Sequence, residues 1–287
     1  MAAPSFTSME EAVNSPPTEA RVEPFVRISV KRSALRIQYD VIHALLIREL
    51  QTRFGKFRLS YLWALLEPIT YVAVFSLAKL FVGTEISGVD FTLFLLTGII
   101  PWLMFASSMS RAFETVGGNQ GLFMYRMVRP FDALMARVIL EFMVSITAYI
   151  ILLILLAWIG MDISIEDPVR LILLVIPLFV FVFGCGLLGM VLIGINPEMK
   201  NFIQLPMRGM FWLSGIFYSV DAIPSEYHYY LLWNPMLHIL ELNRLAFFEV
   251  LDESVVSLEY FCLCAVIALW LGLVVYRANV NRLMTKR

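Results

Sequence analysis

Within residues 61–83, Trp63, Glu67, Tyr71, Phe75 and Lys79 recur at every fourth position, a spacing that makes one continuous ridge on a helix. Aromatic rings interrupted by a carboxylate and an ammonium suit the passage of a long hydroxylated chain, which can stack its sugar rings and exchange hydrogen bonds without being held tightly. The competing reading makes Trp63 and Lys79 interfacial anchors and the rest helix packing. A similar ridge, Gln204, Arg208, Phe211, Trp212, Gly215 and Tyr218, lies in 203–220. Charges inside such apolar runs are informative, because each is costly against lipid unless it faces protein or water. Glu141, in a third run, is equally readable as a buried partner for Arg137.

Other groupings carry less chemistry. GCGLLG at 184–189 matches GxGxxG, but a dinucleotide site needs a strand, a tight turn and a helix start in a βαβ unit. These glycines sit inside an apolar run, where small residues let helices approach closely. No GxxxxGK[ST] occurs, so any ATP used is hydrolysed by another chain. His238 and Glu241 have HxxE spacing, yet the chain has only 3 His and no HExxH, so no metal site is expected. Cys185, Cys262 and Cys264 lie in apolar runs without CxxC pairing and read as packing residues.

The elements that must hold these ridges are membrane helices. Of 287 residues, 60% are hydrophobic and 16% charged, against roughly a quarter charged in a soluble domain. Six runs approach the ~20 apolar residues needed to span hydrocarbon, over about 61–83, 92–112, 134–160, 170–195, 203–220 and 256–277. Residues 1–24 have no apolar core of signal-peptide length and read as a disordered cytoplasmic tail. Nine Lys and Arg lie between Arg21 and Arg58, before the first run. Connections then alternate between acidic (Glu85, Asp90; Asp162, Glu166, Asp167; 221–255 with six acids and one Arg244) and basic (Arg111, Arg126, Arg129, Arg137; Lys200, Arg208). With Arg277, Arg282, Lys286 and Arg287 at the end, the pattern fits six spans with both termini cytoplasmic.

Two segments fall outside the spans. Residues 225–251 tempt a seventh, but Pro235 divides them and His238, Glu241 and Arg244 interrupt the second piece. A re-entrant helical hairpin on the external side fits both the lengths and the charge parity. Residues 40–55 place Ile42, Leu45, Leu46, Leu50 and Phe54 on one helical face, with Asp40 as an N-cap and Gly55 as a stop. That reads as an amphipathic helix in the cytoplasmic interface, either a plain anchor or a contact for a soluble partner. The expected fold class is an all-α integral membrane protein: six transmembrane helices, an N-terminal amphipathic interface helix and an external re-entrant hairpin before the last span. The membrane domain would occupy 25–287.

RELQTRFG (48–55), YLWALLEP (61–68), GIIPWLMF (98–105), NQGLF through RP (119–130), PEM (197–199), SGIFYSVDAIP (214–224) and YLLWNPMLHILELNR (230–244) together resemble the membrane subunit of ABC exporters for capsular polysaccharide. The early and middle stretches are shared with exporters of O-antigen and teichoic acid. PEM and LLWNPMLHILELNR look closer to the capsule branch.

The resemblance implies two copies of this chain joined to two copies of a separate ATPase in the bacterial inner membrane, exporting a lipid-linked polysaccharide. ATP and Mg would be used by the ATPase, with no cofactor bound here and no nucleic-acid partner. It implies a pore at the dimer interface lined by the first and fifth spans, here Trp63, Glu67, Tyr71, Phe75, Lys79, Arg208, Phe211, Trp212 and Tyr218. It implies a coupling helix within 117–132, started near Asn119 and stopped by Pro130. There Phe123, Met124 and Tyr125 would give apolar contact, and Arg126 and Arg129 would pair with acids of the ATPase. The plain alternative is a basic loop obeying the positive-inside rule. The re-entrant helices would gate the external mouth through Trp233, Asn234, Pro235, His238, Glu241 and Arg244. A periplasmic co-polymerase and an outer-membrane channel are further implied partners.

Two rivals belong to other classes. A proton-coupled secondary transporter would cycle a proton on Glu67 or Glu141. A membrane-embedded glycosyl-transfer or lipid-modifying enzyme is disfavoured, because no cluster of carboxylates or histidines gathers at one membrane face.

Overall fold

The computed structural model describes residues 33–55, 60–82, 90–123, 127–248 and 255–285, and in the second of these segments the side chains of 65–78 only. The tail at 1–24 lies outside these residues. In chain order the helices are α1 (Ala34–Phe54), α2 (Ser60–Val82), α3 (Phe91–Phe113), the single turn α4 (Thr115–Gly118), α5 (Pro130–Trp158), α6 (Pro168–Ile195), α7 (Met199–Leu213), α8 (Ser225–Leu231), α9 (Pro235–Arg244) and α10 (Leu258–Thr285), with a 3₁₀ turn at Val220–Ala222. No strand occurs among the described residues.

Local chemistry sets the helix starts. Asp90 accepts the Thr92 N–H at 2.8 Å, Asp167 the Arg170 N–H at 2.9 Å and Asn234 the Met236 N–H at 3.0 Å. Each satisfies a donor that a helix N-terminus leaves orphaned. Pro168 and Pro235 follow two of these caps at the first helical position, where no N–H is needed. The helix expected at the interface, α1, starts at Ala34, so Asp40 is an interior residue and not its N-cap.

Four of the described helices, α3, α5, α6 and α10, are long and apolar enough to cross a membrane. Around α3, which is buried along most of its length, lie α2, α5, α6 and α9. The outward faces of α5, α6 and α10 carry exposed Ile154, Ile172 and Trp270, as hydrocarbon contact requires. α6 and α10 pack tightly because Gly184 has no side chain: a Cβ there would stand 2.4 Å from the Leu269 backbone nitrogen. Gly186 meets Ala112 and Gly189 meets the Phe113 ring in the same way, so GCGLLG is a helix-packing motif.

The run expected over 203–220 differs in form. α7 begins at Met199 and stops at Leu213, because Gly215 takes φ 73°, a left-handed conformation that ends helices and favours glycine. At 15 residues, α7 rises about 22 Å, short of the ~30 Å hydrocarbon core. The segment with Pro235 forms two short helices, as its proline implies, and α9 is buried from Met236 to Arg244.

Candidate functional site

The two ridges read from the sequence face one another. Tyr71 and Phe75 of α2 stack at 6.4 Å between ring centroids, Tyr71 lies 5.9 Å from Phe211 of α7, and Phe75 lies 6.3 Å from Trp212. Trp102 of α3 backs this surface, 5.7 Å from Phe211. Such offset and edge-on ring contacts stabilise one another beyond their buried area. Beside them opens a cavity of about 480 Å³, where Ser110, Gln204 and Arg208 supply polar groups among the rings. Glu67 is exposed on the same side of α2, in a groove with Thr70 and Tyr71. The side chains of Trp63 and Lys79 lie outside the described residues.

Phe217, not Tyr218, completes the cluster. Its ring is 4.3 Å from Phe75, 5.4 Å from Phe211 and 5.1 Å from Trp212. Counting helical positions through 220 selects Tyr218. The helix ends at Leu213, and the turn beyond Gly215 brings in the neighbouring ring instead.

Near the C-terminal end of α3, a charged network fastens α1. Arg53 and Arg111 both pair with Glu141, whose side chain is only 3% exposed, the Arg111 contact measuring 3.1 Å. Arg137 pairs instead with Glu49 at 3.1 Å and donates to the Arg111 carbonyl at 3.0 Å. Glu141 therefore has two arginine partners other than Arg137. The Arg48 guanidinium donates to the Asn119 side chain, and Gln38 donates to Asp132 at 3.2 Å. α1 is thus tied to α5 and to the first residue after α4, and Arg111 of α3 shares its Glu141 partner.

That network changes two expected coupling contacts. Asn119 is buried, donating to the Thr115 carbonyl at 2.9 Å while accepting from Arg48. Phe123 is also buried in the apolar core. Both hold the segment in place from inside and are not available as surface contacts. Arg129 is exposed and stands before α5. Met124, Tyr125 and Arg126 lie outside the described residues. The helix expected from Asn119 is absent from Asn119–Phe123, which form turns after α4.

The residues assigned to an external gate are mostly anchors. Only Trp233 is strongly exposed. Asn234 caps α9 and donates to Ser214 Oγ at 2.9 Å, and Pro235 opens the helix. His238 Nε2 donates to the Leu232 carbonyl at 2.8 Å, and its Nδ1 accepts the Ser257 N–H at 3.1 Å. That arrangement requires a neutral ring, and burial pushes the imidazole below its usual value, opposed by the bond to Leu232. Glu241 accepts the Val220 N–H at 3.1 Å and pairs with Arg244 at 3.2 Å. Burial raises its carboxyl, while Arg244 and the Val220 N–H oppose the shift. Arg244 is fully buried. In sequence, polar side chains satisfied inside the protein look the same as polar side chains waiting for a ligand.

These features define an integral membrane protein whose helices present an aromatic surface and whose basic end carries the tightly fastened helix α1. Residues 40–248 match the family model for ABC-2 type transporters, and the chain belongs to that family. It is 34% identical to the polysialic acid transport protein KpsM of Escherichia coli over 255 residues, covering 88% of this chain and 99% of the relative. It is 31% identical to the capsule polysaccharide export inner-membrane protein CtrC of Neisseria meningitidis serogroup A, over 84% and 92% of the two chains. Identity to the O-antigen export permease RfbA of Klebsiella pneumoniae is 24%, over 78% and 86%.

Proposed function

We infer that this chain is the membrane subunit of an ATP-driven exporter that moves lipid-linked capsular polysaccharide across the bacterial inner membrane, with a separate ATPase supplying the energy. The observation that carries the reading is the meeting of the α2 and α7 aromatic faces beside a polar cavity, in a chain whose 34% and 31% identical relatives are named for polysialic acid transport and capsule polysaccharide export. The lower identity to the O-antigen permease favours capsule over O-antigen as cargo. In this reading α2, together with α7 continued by the 214–220 turn, supplies the remaining two of six membrane segments, and both termini are cytoplasmic.

A second copy would meet the first along α2 and α7. Phe202, Leu205 and Trp212 of α7 are 72%, 71% and 59% exposed on the single chain, an apolar face that a dimer interface would cover. The pore would run along this seam. Its aromatic rings stack on sugars, and Glu67, Gln204 and Arg208 exchange hydrogen bonds with hydroxyls, so no one position holds the polymer long. ATP-driven closure of two ATPases would push on the 117–132 segment. That push reaches α3 and α5 directly, and α1 through Arg48 and Asn119. The exposed acids Asp221 and Glu226 would lie on the external side, open to a periplasmic co-polymerase or outer-membrane channel.

The test is energetic. Membrane vesicles holding this chain and its ATPase should translocate glycan only with hydrolysable ATP. Transport driven by a pH gradient without ATP or partner would instead establish a proton-coupled carrier working through Glu67 or Glu141.

A further inference from the structure

A fully buried arginine at the end of a re-entrant helix needs a reason. Arg244 Nη2 donates to the Ile216 carbonyl at 2.8 Å, and Nη1 donates to the Tyr218 carbonyl and to Glu241 Oε1, both at 3.2 Å. The guanidinium carbon lies 3.6 Å from the centre of the Phe94 ring, close enough for a cation–π contact. Gly98 makes room for it, since a Cβ there would stand 2.5 Å from Nη2. Glu241 in turn holds the Val220 N–H. Two side chains of α9 therefore grip three backbone groups of the Ile216–Val220 turn, and the two carbonyls gripped by Arg244 flank Phe217.

We propose that Arg244 is the positioning residue that sets Phe217 against Phe75, fixing the external end of the aromatic surface. A planar guanidinium meets the two carbonyls with two separate nitrogens held in a rigid fork, whereas a lysine offers a single nitrogen on a flexible stem. The turn is thereby fastened to α9 and α3. Gly215, at φ 73°, ends α7 just before it, and the ring of Phe217 also packs against Phe211 and Trp212 of α7. The importance of this surface for glycan passage rests on the function proposed above. The positioning itself does not.

The experiment uses the full complex in membranes, with Cys185, Cys262 and Cys264 replaced by alanine. Phe75→Cys with Phe217→Cys is bridged by a short bis-methanethiosulfonate, and Tyr71→Cys with Phe211→Cys serves as the reference pair. Arg244→Lys should lower bridging of the 75/217 pair about tenfold, the scale of losing one hydrogen bond to a charged group, with the 71/211 pair unchanged. Gly98→Ala should do the same by displacing the guanidinium. The double variant should be no worse than Arg244→Lys alone, because the methyl then has no guanidinium to displace. If Arg244→Lys does not accumulate, Gly98→Ala carries the test with the arginine still present. Parent-level bridging at 75/217, or an equal fall in both pairs, overturns the proposal. Selective loss at 75/217 with export by Arg244→Lys unchanged upholds the positioning and counts against the channel role of the surface.

Discussion

Replacing Glu141 with glutamine should loosen α1 without unfolding the membrane helices. The carboxylate is almost wholly buried between Arg53 and Arg111. An amide keeps an acceptor but turns two charge-assisted hydrogen bonds into ordinary ones, a difference of about 1 kcal/mol each. Of the two, only the Arg53 bond joins α1 to α5, since Arg111 belongs to α3, so about 1 kcal/mol bears on α1. That corresponds to roughly a fivefold increase in the open population. Hydrogen exchange at the α1 amides from Leu45 to Phe54 reads that population directly when α1 detaches as a local unit. Arg53→Gln should have an effect of the same sign, and Arg53→Met with Glu141→Leu should recover part of the protection, as apolar replacements of buried ion pairs often do. Exchange within twofold of the parent in both single variants would refute the idea that this network fastens α1.

Other consequences follow from the same contacts. Gly184→Ala should cost about 1–3 kcal/mol by overpacking against α10, visible as lower folded yield in detergent, whereas Gly117→Ala should be neutral because nothing lies within 4 Å of a Cβ there. His238 is held neutral with its value depressed, so the unfolded chain binds more protons and stability should fall as pH drops below the ordinary imidazole value of ~6.5. Thermal unfolding across that range should show the slope, and His238→Gln should flatten it. Alanine at Tyr125 and Arg126 should reduce ATPase association or glycan-stimulated hydrolysis with membrane insertion intact, and unchanged export would remove the coupling role. Alanine at Tyr71 or Trp212 should impair export while the complex still assembles, and full export would remove the channel role.

The sequence pattern locates the aromatic ridges because Tyr71 with Phe75, and Phe211 with Trp212, sit on unbroken helical segments where spacing determines facing. It misplaces Phe217 because a glycine in left-handed geometry ends α7, and a period of 3.6 residues says nothing beyond that point. Pro235 marks the division of the hairpin, since proline at a helix start has a local cause. The partners of Glu141 are 88 and 30 positions away, and no local pattern distinguishes them from Arg137, one helical turn before it. Asn119 and Phe123 illustrate the same limit in reverse. Charge and glycine content place their segment at a membrane face, but whether a side chain there points in or out depends on α1, which reaches it through Arg48.

The most direct measurement is photocrosslinking of the exporting complex, with a photoreactive residue at Tyr71 or Phe211 and, for comparison, at Ile172 on the outer face of α6. Glycan adducts are expected at 71 and 211, dependent on ATP turnover, and none at 172. Active export without adducts at 71 or 211, or equal capture at all three positions, would contradict it.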